Sequence, residues 1–365
     1  MNYPTYETIG VRPLINCQGT YTMMSGSLLL PEVRAAMSEA SKQFVHMEEL
    51  MDRAGARIAE LMQAEWALVT NGCAAALCQI TAACVAGLDR DRIARLPDTS
   101  GMKNEVIVQS SHHHVYEHAV RMVGVEMIDV STLAELEAAI SERTAMLLIF
   151  GQVSDRSEIS VEEMVKVGGE HGVPTLVDAA AERPDVPNRY LAQGVDAVAY
   201  SGGKGLRGPQ SSGLVLGKKS LLEAAYMNGA PHHGLGRPMK AGKEEIMGLL
   251  AAVEQWMVRD HEAEWKEWER RLRVIAEAVT LFESVTTSVE LPTGPSNVAP
   301  VLAINWNSES LGLSPEDVRL ALSAGTPRIE VFSEAKGVTV NPAVMEDGED
   351  EVVARRLTEI LAAST

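Results

Sequence analysis

Tyr200-Ser201-Gly202-Gly203-Lys204-Gly205-Leu206-Arg207-Gly208-Pro209-Gln210 is the stretch on which the reading of this chain turns. An apolar run, Asp196 to Ser201, leads into it, and small or chain-breaking residues surround a single lysine. Glycine lets the backbone fold tightly and approach a bound molecule closely, so the pattern presents an amine at the end of a buried strand, placed to act as a nucleophile. Glycine-rich lysine loops are common, and the stretch alone describes an ordinary loop lysine equally well.

Three further segments narrow the choice. Upstream, Thr175-Leu176-Val177-Asp178 is an apolar strand ending in an acid, at the sheet edge where open α/β folds bind their ligands. A capping aspartate would look the same; beside a lysine on a neighbouring strand, it suits a pyridine ring whose nitrogen must stay protonated to draw electrons. In Thr70-Asn71-Gly72-Cys73-Ala74-Ala75-Ala76 a strand passes through a short turn into an alanine-rich helix, whose first N–H groups attract phosphate. Cys73 is expected to offer its backbone there. Finally, Ser110-Ser111-His112-His113-His114 follows the strand Glu105 to Gln109. A neutral imidazole is flat and titrates near working pH, so His113 or His114 can stack on a ring and move protons. Consecutive histidines point in different directions and no acid or Cys stands at ligand spacing, so no metal site is expected.

Around these segments the chain alternates. Candidate strands at Ala67 to Thr70, Glu105 to Gln109, Ala145 to Phe150, Pro174 to Asp178, Asp196 to Ser201 and Gly213 to Leu216 are separated by helical patterns, the sign of an α/β domain. Ser131 to Ile140 carries helical spacing, and Ser160 with Glu163 reads as a capping box. From Lys243 a long helix with Ile246, Leu249, Leu250, Val253 and Trp256 on one stripe runs toward the charged segment Glu262 to Arg273, as a connecting helix. Strands at Val298 to Asn305 and Arg328 to Phe332, a helix opened by Ser314-Pro315-Glu316 and a last helix from Asp350 to Ala363 make a small α+β domain. The expected division is an arm over 1–45 ending in a short helix after Pro31, a large α/β domain over 46–245, and a small domain over 246–365.

Composition excludes several classes. A chain of 365 residues, 46% hydrophobic, can bury a large core. With 50 acidic against 32 basic residues the net charge is −18, which disfavours nucleic acid and anionic membranes. Cys17, Cys73, Cys78 and Cys84 form no metal or disulfide pattern. The start, with no basic then apolar segment, and the lack of ~18 uninterrupted apolar residues lead to a cytoplasmic expectation.

With its elements in this order the chain resembles the fold-type I pyridoxal phosphate enzymes, more narrowly the group around selenocysteine synthase and the D-glucosaminate-6-phosphate ammonia-lyases. Tyr200 to Gln210 is similar to the group's lysine loop, Ile15 to Thr20 to its arm motif, and Gly236 to Lys243 to its basic segment. The resemblance implies an α/β large domain with a mainly parallel seven-stranded sheet and a small α+β C-terminal domain. It implies pyridoxal 5′-phosphate as a Schiff base on Lys204, with Asp178 on the ring nitrogen and Asn71, Gly72, Cys73 and Ser201 around the phosphate. His113 or His114 would stack on the ring, and Gln152 would face the ring hydroxyl. Arg237, Lys240 and Lys243 would come from a neighbouring subunit, as a homodimer or larger homo-oligomer requires, and Arg328 would hold the substrate carboxylate. Ser-Gly-Gly-Lys stands where selenocysteine synthase has an acid before its lysine, and that enzyme's tRNA-binding domain has no counterpart in this sequence, so no tRNA partner is expected.

The activity this implies is α,β-elimination from a small β-hydroxy amino acid, sugar-derived and phosphorylated in the resembled group, giving a 2-oxo acid and ammonia. Lys204 would remove the α-proton, and Arg12, Arg207, Arg237 or Lys240 would bind a distal phosphate. A racemase, aldolase or sulfur or selenium transferase would share every cofactor residue. No strand is followed by the glycine pattern of nicotinamide enzymes.

Overall fold

Short runs of branched and apolar residues become strands here because helices cover both of their faces. The computed structural model describes residues 3–363 and forms two compact units. The larger comprises residues 27–259 with 294–296; the smaller comprises 3–26, 260–293 and 297–363.

Seven strands make the sheet of the larger unit: β1 (Trp66–Thr70), β2 (Glu105–Gln109), β3 (Glu126–Val130), β4 (Thr144–Phe150), β5 (Thr175–Asp178), β6 (Ala197–Ser201) and β7 (Gly213–Gly217). Their order is β1-β7-β6-β5-β4-β2-β3, and only β7 runs antiparallel to its neighbours. This is the mainly parallel seven-stranded sheet expected. Because β1 and β6 both oppose β7, the carboxyl ends of β1, β2, β4, β5 and β6 meet at one edge. Strand β3 escaped the sequence reading for a physical reason: it is one of the two edge strands, and Glu126 to Asp129 are exposed or half-buried, so no apolar run marks it.

Local signals set the helices. The Ser160 hydroxyl accepts the Glu163 N–H at 3.2 Å while the Glu163 carboxylate accepts the Ser160 N–H at 2.8 Å, the capping box anticipated at Val161–His171. Thr132 caps Leu133–Ala139 in a similar way. The stripe Ile246, Leu249, Val253 and Trp256 is buried on Lys243–Val258. That helix does not run on into the charged segment. Arg259 is extended, and Asp260 caps a second helix, His261–Val279, by accepting the Ala263 N–H at 2.9 Å. The boundary between units therefore falls at 259/260 rather than 245/246.

The smaller unit holds a four-stranded antiparallel sheet in the order Phe332–Glu334, Gly337–Val340, Val301–Trp306, Val285–Glu290. The single strand expected over 328–332 divides at Val331. Its first part, Arg328–Glu330, pairs instead with Leu14–Asn16 in a parallel ladder. That ladder ties the first residues of the expected arm to the smaller unit, while the helix after Pro31, Pro31–Ala40, belongs to the larger one.

Candidate active site

The lysine loop is folded on itself. Gly202 N–H bonds to Ser212 O at 2.8 Å, Gly208 N–H to Gly202 O at 2.9 Å, and Arg207 N–H to Lys204 O at 2.9 Å. There is no room at its base: a Cβ on Gly203 would lie 2.5 Å from Gln210 Cα. From outside, Arg259 Nη1 donates to Gly205 O at 2.9 Å, and both the N–H and hydroxyl of Ser27 donate to Gly203 O at 3.1 Å. Lys204 is thus a half-buried amine on a backbone fixed at several points.

Asp178 ends β5 in register with Ala199 of β6 and Phe150 of β4, so it stands at the same strand edge from which the lysine loop departs. It is 2% exposed. Its Oδ1 accepts the Ala180 N–H at 3.0 Å and the Cys73 thiol at 3.5 Å; its Oδ2 lies 3.7 Å from His114 Nε2. Burial pushes the Cys73 thiol well above its usual range, Asp178 adds to this, and the positive charge of Lys204 pulls the other way. Lysine, acid and thiol therefore share one electrostatic neighbourhood.

His114 is stacked on Phe150, ring centroids 4.1 Å apart, and its Nδ1 accepts the Tyr116 N–H at 3.2 Å. That acceptor role puts the proton of the neutral ring on Nε2, and burial lowers the pKa despite the opposing pulls of Asp178 and Glu117. Nε2 is buried, has no hydrogen-bond partner among the described residues, and lies toward the acid. His113, the other candidate, faces elsewhere. Its Nδ1 bonds Glu117 at 2.6 Å and its Nε2 bonds Asp129 at 2.8 Å; burial opposes charge on this ring, but the two carboxylates prevail and raise its pKa. His112 is a scaffold residue that accepts the Phe150 N–H at 3.1 Å.

At the other end of the site, Gly213 pairs with both Thr70 and Ser201, which brings the start of helix α1 (Gly72–Ala86) beside the end of β6. A Cβ on Gly213 would lie 2.5 Å from the Gly72 carbonyl carbon, so only glycine lets these chains meet. Among the described residues no side chain caps α1; Asn71 donates its Nδ2 to Lys240 O at 3.0 Å instead. The first-turn N–H groups are therefore uncapped, an arrangement that suits an anion.

The remaining expected residues are more scattered. Gln152 is exposed on the short helix Gly151–Ser154, and Arg237 and Lys240 are exposed on the loop before Lys243–Val258. Lys243 Nζ donates to Ala40 O at 2.8 Å and pairs with Glu244, so within its own chain it has a structural role. Arg207, with φ +55°, donates to Leu28 O, and Arg12 to the carbonyls of Ala324 and Gly325. Arg328 lies in the smaller unit with its Nε 2.5 Å from Glu330.

Sequence reasoning passed over Glu182 and Tyr190. The Tyr190 hydroxyl donates to the Glu182 carboxyl at 2.8 Å, and a Cβ on Gly151 would lie 2.0 Å from that carboxyl and 3.0 Å from Asp178 O. Nothing in Ala179 to Arg183 marks an acid that turns inward. Burial pushes Glu182 up to about 7 from 4.5, against the Tyr190 bond. The folded state then holds a proton that the unfolded state releases, so this group's contribution declines as pH rises from 4.5 to 7 and stays low above. Glu182→Gln is expected to gain on the order of 2–3 kcal/mol relative to the parent by pH 8, and close to nothing at pH 4.5. Denaturant unfolding across this range checks it; a difference independent of pH would refute it.

A half-buried lysine, a buried acid one strand away, an unpartnered imidazole nitrogen and an uncapped helix start together fit a phosphorylated pyridine. Residues 28–247 match the aminotransferase class-V family model. The chain belongs to that family. A D-glucosaminate-6-phosphate ammonia lyase of Salmonella typhimurium is 31% identical over 97% of both chains. A 5′-C-glycyluridine monooxygenase-decarboxylase of a Streptomyces species is 33% identical over 98% of this chain and 92% of its own. A solved D-glucosaminate-6-phosphate ammonia-lyase superposes over the whole of both chains with a TM-score of 0.88 at 29% identity. The fold is that of the type I pyridoxal phosphate enzymes, and this aminotransferase class-V member is an enzyme dependent on pyridoxal 5′-phosphate, with support for lyase chemistry.

Proposed function

We propose that the enzyme eliminates the β-hydroxyl from an amino acid with a sugar-like tail and releases ammonia and a 2-oxo acid. Full-length identity of 31% to an ammonia lyase carries this reading. The substrates named for both relatives join an α-amino acid to a hydroxylated carbon chain or sugar, which favours that substrate class here.

Bound at this site, pyridoxal 5′-phosphate supplies an electron sink that acidifies the Cα–H of an attached amino acid. The residues have separable tasks. Lys204 holds the cofactor and its amine takes the α-proton. Asp178 holds the proton of the cofactor ring nitrogen, and Asn71, Gly72, Cys73 and Ser201 bind its phosphate through the start of α1 and the end of β6. The proton that Lys204 takes from Cα passes to the departing hydroxyl, to which neutral His114 offers a hydrogen bond from Nε2–H, and the hydroxyl leaves as water; a second water then replaces nitrogen, so the balance is amino acid to 2-oxo acid and ammonia. Gln152 faces the ring hydroxyl, and Arg328 holds the substrate carboxylate, with Arg237 and Lys240 on a distal phosphate.

The same reading makes the enzyme a cytoplasmic homodimer or larger homo-oligomer. Exposed Phe44, Val115 and Tyr116 supply apolar surface for a partner copy. A monomer by light scattering at working concentration would remove this part. No helix among the described residues is long and apolar enough to cross a membrane.

Oxygen-dependent decarboxylation is the second reading, favoured by the 33% identity to the monooxygenase-decarboxylase. Incubation with D-glucosaminate 6-phosphate and other β-hydroxy amino acids separates the two. Equimolar ammonia and 2-oxo acid, unchanged without oxygen, are expected; oxygen uptake with carbon dioxide release and no ammonia would overturn elimination.

A further inference from the structure

Cys73 is the second residue of α1, and a helical Cα–Cβ bond leans toward the N-terminus. Its sulfur is thereby carried back over the strand ends, where it meets Oδ1 of Asp178 at 3.5 Å. The cysteine is buried, as is the acid. Oδ1 also accepts the Ala180 N–H at 3.0 Å, whereas Oδ2 accepts no hydrogen bond among the described residues and faces the unpartnered His114 Nε2 at 3.7 Å. The two oxygens of one carboxyl are thus held differently.

We infer that Cys73 is a positioning residue for Asp178: its thiol and the Ala180 N–H together pin Oδ1, which leaves Oδ2 as the oxygen offered to the site. A carboxyl at the end of a strand can rotate about its last bond, and a single backbone donor fixes an oxygen without fixing the plane. The thiol supplies the second point. Burial and Asp178 both hold the thiol in its protonated, donating form. This inference rests on the reading of Asp178 as the partner of the cofactor ring nitrogen.

The S–H stretching vibration tests the contact directly in the holoenzyme, because it falls in an otherwise transparent infrared window. The difference spectrum of wild type against Cys73→Ser isolates the Cys73 band, which is expected at lower wavenumber than an unbonded thiol and should move up in Asp178→Asn. Cofactor affinity gives the second readout. Cys73→Ala is expected to weaken retention of pyridoxal 5′-phosphate by about tenfold, as for loss of one hydrogen bond to a charged group, while Cys73→Ser, which keeps a donor, stays within about threefold. A band unmoved in Asp178→Asn, or wild-type affinity in Cys73→Ala, overturns the inference. Should Cys73→Ala fail to fold, the infrared comparison alone decides. Asp178→Asn that binds and turns over like wild type would instead remove the reading of Asp178 on which this rests.

Discussion

Lys204→Ala is expected to lower turnover by ~10⁴-fold or more while leaving the protein folded. The lysine has two tasks, covalent attachment of the cofactor and transfer of the α-proton, and alanine performs neither. Its removal costs the fold little, because the bonds that shape the loop run through backbone groups: Gly202 to Ser212, Gly208 to Gly202, and Gly205 O to Arg259. The melting transition should shift by no more than ~1 kcal/mol equivalent. Borohydride followed by peptide mapping should place a reduced pyridoxyl group on Lys204 of the wild type and nowhere in the variant. Turnover retained above a hundredth of wild type, or label on another lysine, would end the assignment.

How much of this was legible beforehand depended on what kind of physical signal each residue leaves. Strand ends bearing Lys204 and Asp178 were visible because a buried parallel strand is a nearly continuous apolar run, and the first residue that breaks the run is conspicuous. The turn at Asn71 to Cys73 was visible for a similar reason. Side-chain direction was not. Sequence left His113 and His114 equivalent, and only the 3₁₀ turn Val115–Glu117 decides that His114 faces Asp178 while His113 is taken by Glu117 and Asp129. Glu182 was invisible because an acid in a loop is ordinarily solvated, and its burial under Gly151 depends on a close approach that no local pattern encodes. The division at 259/260 was missed because helical spacing continues through the charged segment, whereas the break is made by one extended residue and one capping aspartate. The pair Leu14–Asn16 with Arg328–Glu330 joins segments more than 300 positions apart, beyond the reach of any local rule.

Asp178→Asn separates shape from proton chemistry. Asparagine has nearly the same outline, its Oδ1 can still accept the Ala180 N–H, and the side chain remains enclosed by Cys73 and His114. Stability is therefore expected to stay within ~1 kcal/mol of wild type. Its amide nitrogen, however, replaces Oδ2, so a donor stands where the site needs an acceptor, opposite the proton that His114 carries on Nε2. An amide there cannot hold the proton of a pyridine nitrogen, and two donors facing each other at this distance drive the imidazole or the amide away. Removal of one preorganised electrostatic partner typically costs 10²–10³ in rate, and the disturbance of His114 adds to it, so a fall in kcat of ~10³-fold or more is expected. Stopped-flow single turnover with unfolding in parallel measures both terms. A variant that unfolds easily would show that Asp178 acts through packing, and one that keeps a tenth of wild-type kcat would show that the ring nitrogen is held by some other group.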